Sequence, residues 1–237
     1  MSDKLLEAMK TEMNVWKLCY PYEILADDFV NFYYPEYPTH PHWNIAYPTR
    51  IQNLHPSYEN LKKISYLFKS LKVSGHYYST KSKLSDDHLL VSSDEYFEYK
   101  PISPSVTFQD KTVSWQKTED LALFSTIVCE GFNIDGQGKS QFLNKMNLIN
   151  SNISASFYLL VKNGTPIGAI SLFEGAPNAF FVMNFTISKM HRNKGLSYAI
   201  ELILKLFAGK LVFTHSNSPI LMSTVLPKLN WQSLGKV

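Results

Sequence analysis

A short basic turn between two apolar segments is the part of this sequence whose residue types are best suited to chemistry. Residues 189–195 read KMHRNKG and include Arg192, Lys194 and Gly195. If a helix begins after Gly195, its first N–H groups lack partners within the helix, and partial positive charge collects there. Because glycine lets a ligand approach the backbone closely, the turn has the features of a phosphate site. A strand-to-helix turn with solvated basic residues is the alternative interpretation.

The segments on either side of this turn have different hydrophobic periods. Residues 179–187 alternate, and both alternating faces are mostly apolar, which predicts a central strand covered on both sides. From Leu196 to Phe207 apolar residues recur at helical spacing, with Glu201 and Lys205 on the opposite side. The pattern therefore predicts a strand, a basic turn and a helix, in that order.

Residues 192–197 read RNKGLS and resemble the R/Q-x-x-G-x-G/A pyrophosphate loop of the GCN5-related N-acetyltransferases. In that family the loop follows the fourth strand and opens the third helix, which matches the predicted order here. Ser197 departs from the Gly or Ala of the last position. Serine is small, however, and its hydroxyl can donate to a phosphate. The resemblance covers roughly residues 105–231.

This resemblance implies an α/β (α+β) fold with a mixed, mostly antiparallel central sheet flanked by helices, and acetyl-coenzyme A as the acetyl donor. It also implies that the fourth strand faces the pantetheine arm and that amides of the turn hold the pyrophosphate. The residues implied to bind the coenzyme are Phe185, Thr186, Ile187, Arg192, Asn193, Lys194, Gly195, Leu196, Ser197 and Asn217. Asn217 matches a frequent asparagine after the fifth strand, and a helix cap is the equal alternative.

The catalytic residues are less well defined. Related enzymes often use a tyrosine of the fourth helix as the acid, but Leu226 occupies that position here. Ser223 and Thr224 lie one turn earlier and are candidates to hydrogen-bond the sulfur. Glu174, at the end of the third strand, is a candidate base acting through water. His215 in the fifth strand is another candidate, with a packed core histidine as the alternative.

Composition limits the class of protein and its partners. The chain has 237 residues and a formal net charge of +3, too little to indicate a nucleic-acid or membrane partner. Its N-terminus has no apolar run typical of a signal peptide or membrane span. With Cys19 and Cys129 as the only cysteines, we expect reduced thiols and a cytoplasmic location. His40 and His42 lack obvious partner ligands, so we expect no metal site.

A proline- and serine-rich segment at residues 101–105 divides the chain into two predicted domains, 1–105 and 106–237. The aromatic, proline-broken residues 20–56 predict a loop-rich wall packed by its own rings, with a binding groove as the alternative. We interpret the first domain as a degenerate acetyltransferase-like half that does not bind coenzyme, because it has no R-x-x-G-x-G pattern. Its predicted elements are helices at 3–18 and 60–72 and strands near 75–78, 88–91 and 96–100.

The second domain follows the acetyltransferase order of elements. Thr118 is the predicted cap of its first helix, and Asn163-Gly164 between apolar runs predicts a hairpin. The final strand is either residues 232–237 or a strand lent by the first half, and we favour the latter. Residues 136–140, GQGKS, resemble the end of a nucleotide P-loop, but no strand precedes them. We interpret them as a loop between two helices.

Three functions follow from these patterns, in order of preference. The first is an N-acetyltransferase acting on an amine of a small molecule, a peptide or a protein. The second is a coenzyme-binding module without turnover, suggested by the missing tyrosine. The third and most remote is nucleotide binding through Lys139. The sequence identifies neither the acceptor nor the oligomeric state, and a homodimer is one arrangement compatible with it.

Overall fold

The structure is a computed structural model that describes residues 3–18, 20–25, 28–35, 44–50, 57–73, 75–78, 89–92, 94–100, 108–152, 154–216, 218 and 221–236. The chain forms two compact units. The N-terminal unit contains Met1–Phe97, His215–Asn217 and Ser233–Val237, and the C-terminal unit contains Glu98–Thr214 and Ser218–Gln232. The proline- and serine-rich segment predicted as the boundary lies outside the described residues.

Within its described residues, the N-terminal unit contains two α-helices and a five-stranded sheet. The strands follow the order β1-β2-β3-β4-β5; β1 to β3 pair antiparallel, and β3 to β5 pair parallel. The helices are α1 (Asp3–Trp16) and α2 (Tyr58–Ser70), and α2 connects the parallel strands β3 and β4. The strands are β1 (Tyr22–Leu25), β2 (Phe29–Phe32), β3 (Ile45–Pro48), β4 (Gly75–Tyr78) and β5 (Leu89–Ser92).

Helix α2 shows how local sequence positions an element of this unit. The Ser57 side chain caps it by accepting a hydrogen bond from the backbone N–H of Asn60 at 3.2 Å. Its apolar face, which includes Ile64 and Phe68, packs in one buried cluster with Phe29 of β2. Full burial of one such side chain stabilises the fold by about 1.5–3 kcal/mol. Both helices predicted in this half are confirmed.

The prediction of a loop-rich wall over residues 20–56 is wrong where the structure describes it, because β1, β2 and β3 lie there. Pro21 precedes β1, and Pro48 is the last residue of β3. Proline is tolerated at such strand ends, so the apolar runs between prolines can still pair.

The second sheet has seven strands in the order β12-β6-β11-β10-β9-β8-β7. Strands β7 to β10 pair antiparallel, whereas β10 and β11 pair parallel. The mixed, mostly antiparallel sheet expected from the sequence is confirmed. Its strands are β6 (Glu95–Tyr99), β7 (Val113–Thr118), β8 (Ala155–Lys162), β9 (Thr165–Ala176), β10 (Ala179–Ile187), β11 (Leu211–Ser216) and β12 (Trp231–Lys236).

The closing strands of this sheet combine both alternatives raised by the sequence. Strand β12 is formed by the last part of the chain, and β6, from the first hundred residues, lies between β11 and β12. The predicted hairpin between β8 and β9 is confirmed. Asn163 and Gly164 have φ angles of 50° and 79°, the left-handed values that a two-residue hairpin turn requires.

The helices of the C-terminal unit differ in detail from their predictions. Asp120 caps the first by accepting a hydrogen bond from Leu123 N–H at 2.9 Å, so Thr118 is not its cap. The GQGKS segment forms the start of the second helix, so its interpretation as a loop is wrong. The helices are α3 (Leu121–Phe132), α4 (Gly136–Asn152), α5 (Ile200–Leu204) and α6 (Leu226–Lys228).

The predicted helix over residues 196–207 is helical throughout but not uniform. A 3-10 turn, Leu196–Ala199, precedes α5, and another, Lys205–Phe207, follows it. A π-helical turn, Leu221–Val225, precedes α6. Ile203 and Leu204 of α5 are buried as predicted, but Glu201, predicted on the opposite side, is buried as well. Its carboxylate is paired there, because it accepts a hydrogen bond from Phe108 N–H at 3.1 Å and lies 2.6 Å from the ammonium of Lys205.

Candidate functional site

The two parallel strands β10 and β11 separate partway along their length. Their register runs only from Ala179 to Phe181 of β10, and the Thr214 hydroxyl then donates a hydrogen bond to Val182 C=O at 3.1 Å. Strand β10 continues to Ile187, beyond this register. A strand edge released in this way can pair with an extended ligand as if the ligand were another strand.

A bulge interrupts β10 in its released part. The register with β9 shifts between Met183 and Thr186, and Asn184 has a φ angle of 57°. Asparagine is one of the few side-chain-bearing residues that adopt this left-handed conformation readily. Bulges redirect side chains and are frequent beside functional sites.

Two glycines let neighbouring elements press against this bulge. A Cβ on Gly131 of α3 would lie 1.9 Å from Oγ1 of Thr186, and one on Gly168 of β9 would lie 2.6 Å from the Thr186 carbonyl oxygen. Both separations are far below van der Waals contact. The position of Thr186 therefore depends on the absence of a side chain at both glycines.

The basic turn after β10 is built from unusual backbone conformations. A 3-10 turn, Lys189–His191, is followed by Asn193 and Gly195, whose φ angles are 61° and 72°. A Cβ on Gly195 would have no atom within 4 Å, so its conformation, not a lack of space, favours glycine there. The helical segment starts at the next residue, Leu196.

Arg192 has a different role from the outward positive charge expected from the sequence. Its Nε donates a hydrogen bond to Ile187 C=O at 2.9 Å, and its Nη2 donates to Gly131 C=O. The guanidinium thus links the turn to the end of β10 and to α3. Lys194 is exposed, as is Lys189, and its ammonium can move to meet an anion.

The side chains of several predicted coenzyme residues belong to the core. Ile187 and Leu196 lie in one buried cluster, against which Phe185 packs. Trp115 donates a hydrogen bond from its indole Nε1 to Ala199 C=O at 2.7 Å and so anchors the helical segment. At these positions only the backbone remains to meet a ligand, as the resemblance implies.

The predicted catalytic residues lie in different surroundings. Ser223 and Thr224 are exposed in the π-helical turn, with their hydroxyl oxygens 3.3 Å apart, and Leu226 is buried. The Glu174 Oε1 accepts a hydrogen bond from Asn178 N–H at 3.2 Å in the turn between β9 and β10. Their catalytic roles stay predictions. Asn217 lies outside the described residues, as do His40 and His42.

His215, the second candidate base, is half-buried and belongs to a polar cluster of the N-terminal unit around the buried Glu12 and Tyr96. Its Nδ1 lies 3.3 Å from Oε1 of Glu12, and Tyr96 donates a hydrogen bond to Oε2 of Glu12 at 2.6 Å. Although burial alone would lower it, the Glu12 carboxylate raises the pKa of His215 to about 9. Burial opposes the charge of Glu12 as well, yet His215, Tyr96 and Trp16 together lower the Glu12 pKa.

Two residues of these arrangements were not singled out from the sequence. Glu12 interrupts the apolar face of α1 between Met9 and Trp16, and a charge on an apolar face signals a buried partner. Asn184 stands in an otherwise apolar strand, and polar residues in such strands are a comparable signal. In each case the partner is distant in sequence, so the pattern alone does not identify it.

The described part of the chain shows neither a metal-binding cluster nor a membrane-spanning helix. No group of three or more His, Cys, Asp or Glu side chains within it is arranged to hold a metal ion. No helix within the same residues combines the length and apolar character needed to cross a bilayer.

No protein-family model matches the sequence, and no curated protein matches it significantly. Solved structures do match. One is a GCN5-related N-acetyltransferase from Kribbella flavida, at 10% identity, with a TM-score of 0.61 over 98% of this chain and 92% of that one. A functionally unknown conserved protein from Staphylococcus epidermidis matches at 9% identity, with a TM-score of 0.62 over 92% of each chain.

A third match extends the likeness to proteins with two such units. It is a tandem GNAT protein from the clavulanic acid biosynthesis pathway, at 10% identity, with a TM-score of 0.55 over 88% of this chain and 76% of that one. Identities this low show the fold and not the activity. The chain therefore has the fold of the GCN5-related N-acetyltransferases.

Proposed function

We propose that this protein transfers an acetyl group from acetyl-coenzyme A to an amine of a small molecule or a peptide. The observation that supports this most is the separation of β10 from β11, followed directly by the Gly195 turn. A strand edge without a strand partner suits an extended pantetheine arm, and a turn rich in backbone N–H groups suits a diphosphate.

The proposed reaction requires little covalent chemistry from the protein. The neutral amine nitrogen attacks the thioester carbonyl carbon, a C–N bond forms, and the C–S bond breaks. The thiolate leaves with the C–S electron pair, and the extra amine proton passes to solvent or buffer. Catalysis then consists mainly of holding amine and thioester together and polarising the carbonyl.

Individual residues divide this work. The backbone of residues 185–187 is proposed to face the thioester arm, and the N–H groups of residues 192–197 to hold the pyrophosphate. Arg192 holds the turn in place through the carbonyls of Ile187 and Gly131. Lys194 is proposed to approach the phosphates from solvent. Asn217 is retained as a proposed contact of the coenzyme arm.

The test is a direct assay with the full chain. Acetyl-coenzyme A is titrated by calorimetry, and free thiol is then followed after adding a panel of primary amines, amino acids and peptides. The proposal predicts saturable binding and amine-dependent thiol release above the rate of hydrolysis. Absence of both binding and release would overturn it.

A coenzyme-binding module without turnover is the second candidate. It is favoured by Leu226, buried at the position where related enzymes often have a tyrosine, and by the exposure of Ser223 and Thr224. Tight acetyl-coenzyme A binding with no thiol release for any amine would support the module over the enzyme.

Nucleotide binding through Lys139 has less support, because GQGKS opens α4 and is preceded by α3 instead of a strand. A P-loop needs the preceding strand to aim its amides at the phosphates. Saturable ATP binding that is unaffected by a Gly195 variant would revive this alternative. A cytoplasmic location and the division into domains 1–105 and 106–237 also remain proposals.

A further inference from the structure

The side chain of Asn184 has one hydrogen-bonding group fixed and the other unused. Its Nδ2 donates to Oγ of Ser171 at 2.9 Å and lies 3.9 Å from Sδ of Met146 on α4. Its carboxamide oxygen makes no hydrogen bond to any residue within the described ranges. The side chain is half-buried, and this oxygen is not one of the fully enclosed, unpartnered side-chain atoms of the described residues, so a ligand can contact it.

The orientation of the carboxamide follows from the chemistry of Ser171. That serine is fully buried, and its single hydroxyl proton is donated to Met183 C=O at 3.1 Å. Its oxygen can therefore only accept a further hydrogen bond, and the Asn184 amide nitrogen is the group that can donate one. The carboxamide oxygen must consequently face away from Ser171.

The bulge places this oxygen at the released part of β10. Asn184 lies two residues after Val182, whose carbonyl accepts the hydrogen bond from the Thr214 hydroxyl. It directly precedes the predicted coenzyme-facing residues 185–187. Its contact with Met146 shows that the side chain lies on the face of the sheet covered by α4, outside the sheet plane.

An oxygen in this position suits the incoming amine better than the coenzyme. A thioester lying in the gap as an added strand has its carbonyl near the sheet plane, and a nucleophile approaches a carbonyl from above or below that plane. A hydrogen-bond acceptor that binds one N–H of the amine fixes the direction in which the nitrogen lone pair points. A carboxylate in this position would also stabilise the protonated ammonium form of the amine, which cannot attack. A neutral carboxamide binds the N–H without that effect.

We infer that the Asn184 carboxamide oxygen accepts an N–H hydrogen bond from the acceptor amine and positions it for attack on the thioester. This inference rests on the proposed acetyl transfer and assigns the residue that binds its second substrate. In that reaction the C–N bond forms as the C–S bond breaks, and Asn184 neither gains nor loses a proton.

The left-handed conformation at this position provides a clean test. Asn184→Gly removes the carboxamide and keeps the backbone conformation, whereas Asn184→Asp keeps an acceptor oxygen. Asn163→Gly, in the β8–β9 turn with a φ angle of 50°, is the matched control. For each variant we would measure the KM for the best amine, kcat, the Kd for acetyl-coenzyme A and Tm.

We expect Asn184→Gly to raise the KM for the amine, and lower kcat/KM, by about tenfold or more, because a substrate hydrogen bond is lost. Its Kd for acetyl-coenzyme A should stay within about twofold of the Asn163→Gly value, and Asn184→Asp should retain most of the affinity for amine. An unchanged amine KM, or a weakened coenzyme Kd with an unchanged amine KM, would overturn the inference while leaving acetyl transfer intact. A wild-type protein that neither binds acetyl-coenzyme A nor releases thiol would overturn both.

Discussion

Oε1 of Glu12 lies 3.3 Å from Nδ1 of His215, and the Glu12 side chain is 1% exposed. The same carboxylate accepts hydrogen bonds from the Trp16 indole and the Tyr96 hydroxyl. Asp94, buried next to β6, adds a further negative potential at His215. A buried carboxylate is compatible with the fold only when it is paired in this way, so the cluster should control the pH dependence of stability.

The first prediction concerns that dependence. The pKa of His215 in the folded protein is about 9, above the ordinary value of 6.5. The stabilisation of the folded state by His215 is therefore fully present below pH 6.5 and is lost as pH rises through 9. Glu12 has a lowered pKa, so its contribution is present above pH 4.5 and is lost as pH falls below that value. The free energy of unfolding should fall by up to about 3 kcal/mol between pH 6 and pH 10.

Urea unfolding of wild type and Glu12→Gln across this range measures the effect. Glu12→Gln should lose about 3 kcal/mol at pH 6, because it leaves the half-buried His215 imidazole with a poorer partner. Glu7→Gln is the control, since Glu7 is exposed on the same helix. An unchanged alkaline decline in Glu12→Gln would show that the pair is not responsible.

The second prediction tests the Gly195 turn against a similar turn elsewhere. Gly195 and Gly209 both have positive φ angles, 72° and 80°, and neither has an atom within 4 Å of a Cβ position. Gly→Asp at either site should therefore cost a similar amount of stability, about 1 kcal/mol. Gly195→Asp alone should also weaken acetyl-coenzyme A binding at least tenfold, because its carboxylate repels phosphate. Equal Kd values for the two variants, measured by calorimetry, would refute a role in phosphate binding.

A third prediction separates two cations of the turn, Arg192 and Lys194. Arg192→Met removes the bonds to Ile187 and Gly131 carbonyls and should lower stability by about 1–3 kcal/mol as well as coenzyme affinity. Lys194→Met should lower affinity with little effect on Tm, because the side chain is exposed. It should also reduce the salt dependence of the coenzyme Kd. If Lys194→Met instead destabilised the fold as much as Arg192→Met, this division of roles would be wrong.

The fourth prediction concerns the close packing around Thr186. Gly131→Ala places a Cβ against the Thr186 side chain, and Gly168→Ala places one against its carbonyl oxygen. Both should destabilise the protein by about 1–3 kcal/mol or more. Adding Thr186→Ala should recover part of the loss in Gly131→Ala and none in Gly168→Ala, since only the first clash involves the Thr186 side chain. Equal recovery in the two backgrounds, by thermal unfolding, would contradict this packing.

Local features of the sequence predicted much of the fold. The period of two in residues 179–187 and the Asn163-Gly164 pair identified β10 and the β8–β9 hairpin, because both signals depend on neighbouring residues. The proline-rich stretch was misjudged for the same reason. Its strands are short, and their pairing with one another outweighed the local breakers.

The candidate site was predicted less completely. The turn with Gly195 was recognised from a contiguous motif, and the left-handed φ of that residue agrees with the requirement for glycine. The role of Arg192 was not predicted, because its partner Gly131 lies 61 residues away. The orientation of Asn184 likewise depends on Ser171, a residue of another strand.

By itself, the sequence determined the strand period of residues 179–187, the Asn163-Gly164 turn and the motif of the basic turn, since these depend on the conformational preferences of adjacent residues. Only the tertiary structure decided that β10 and β11 separate, that β6 lies between β11 and β12, and that Glu12 pairs with His215. Those arrangements depend on contacts between segments far apart in the chain, and such contacts form only when burial and hydrogen bonding together offset the entropy of ordering them.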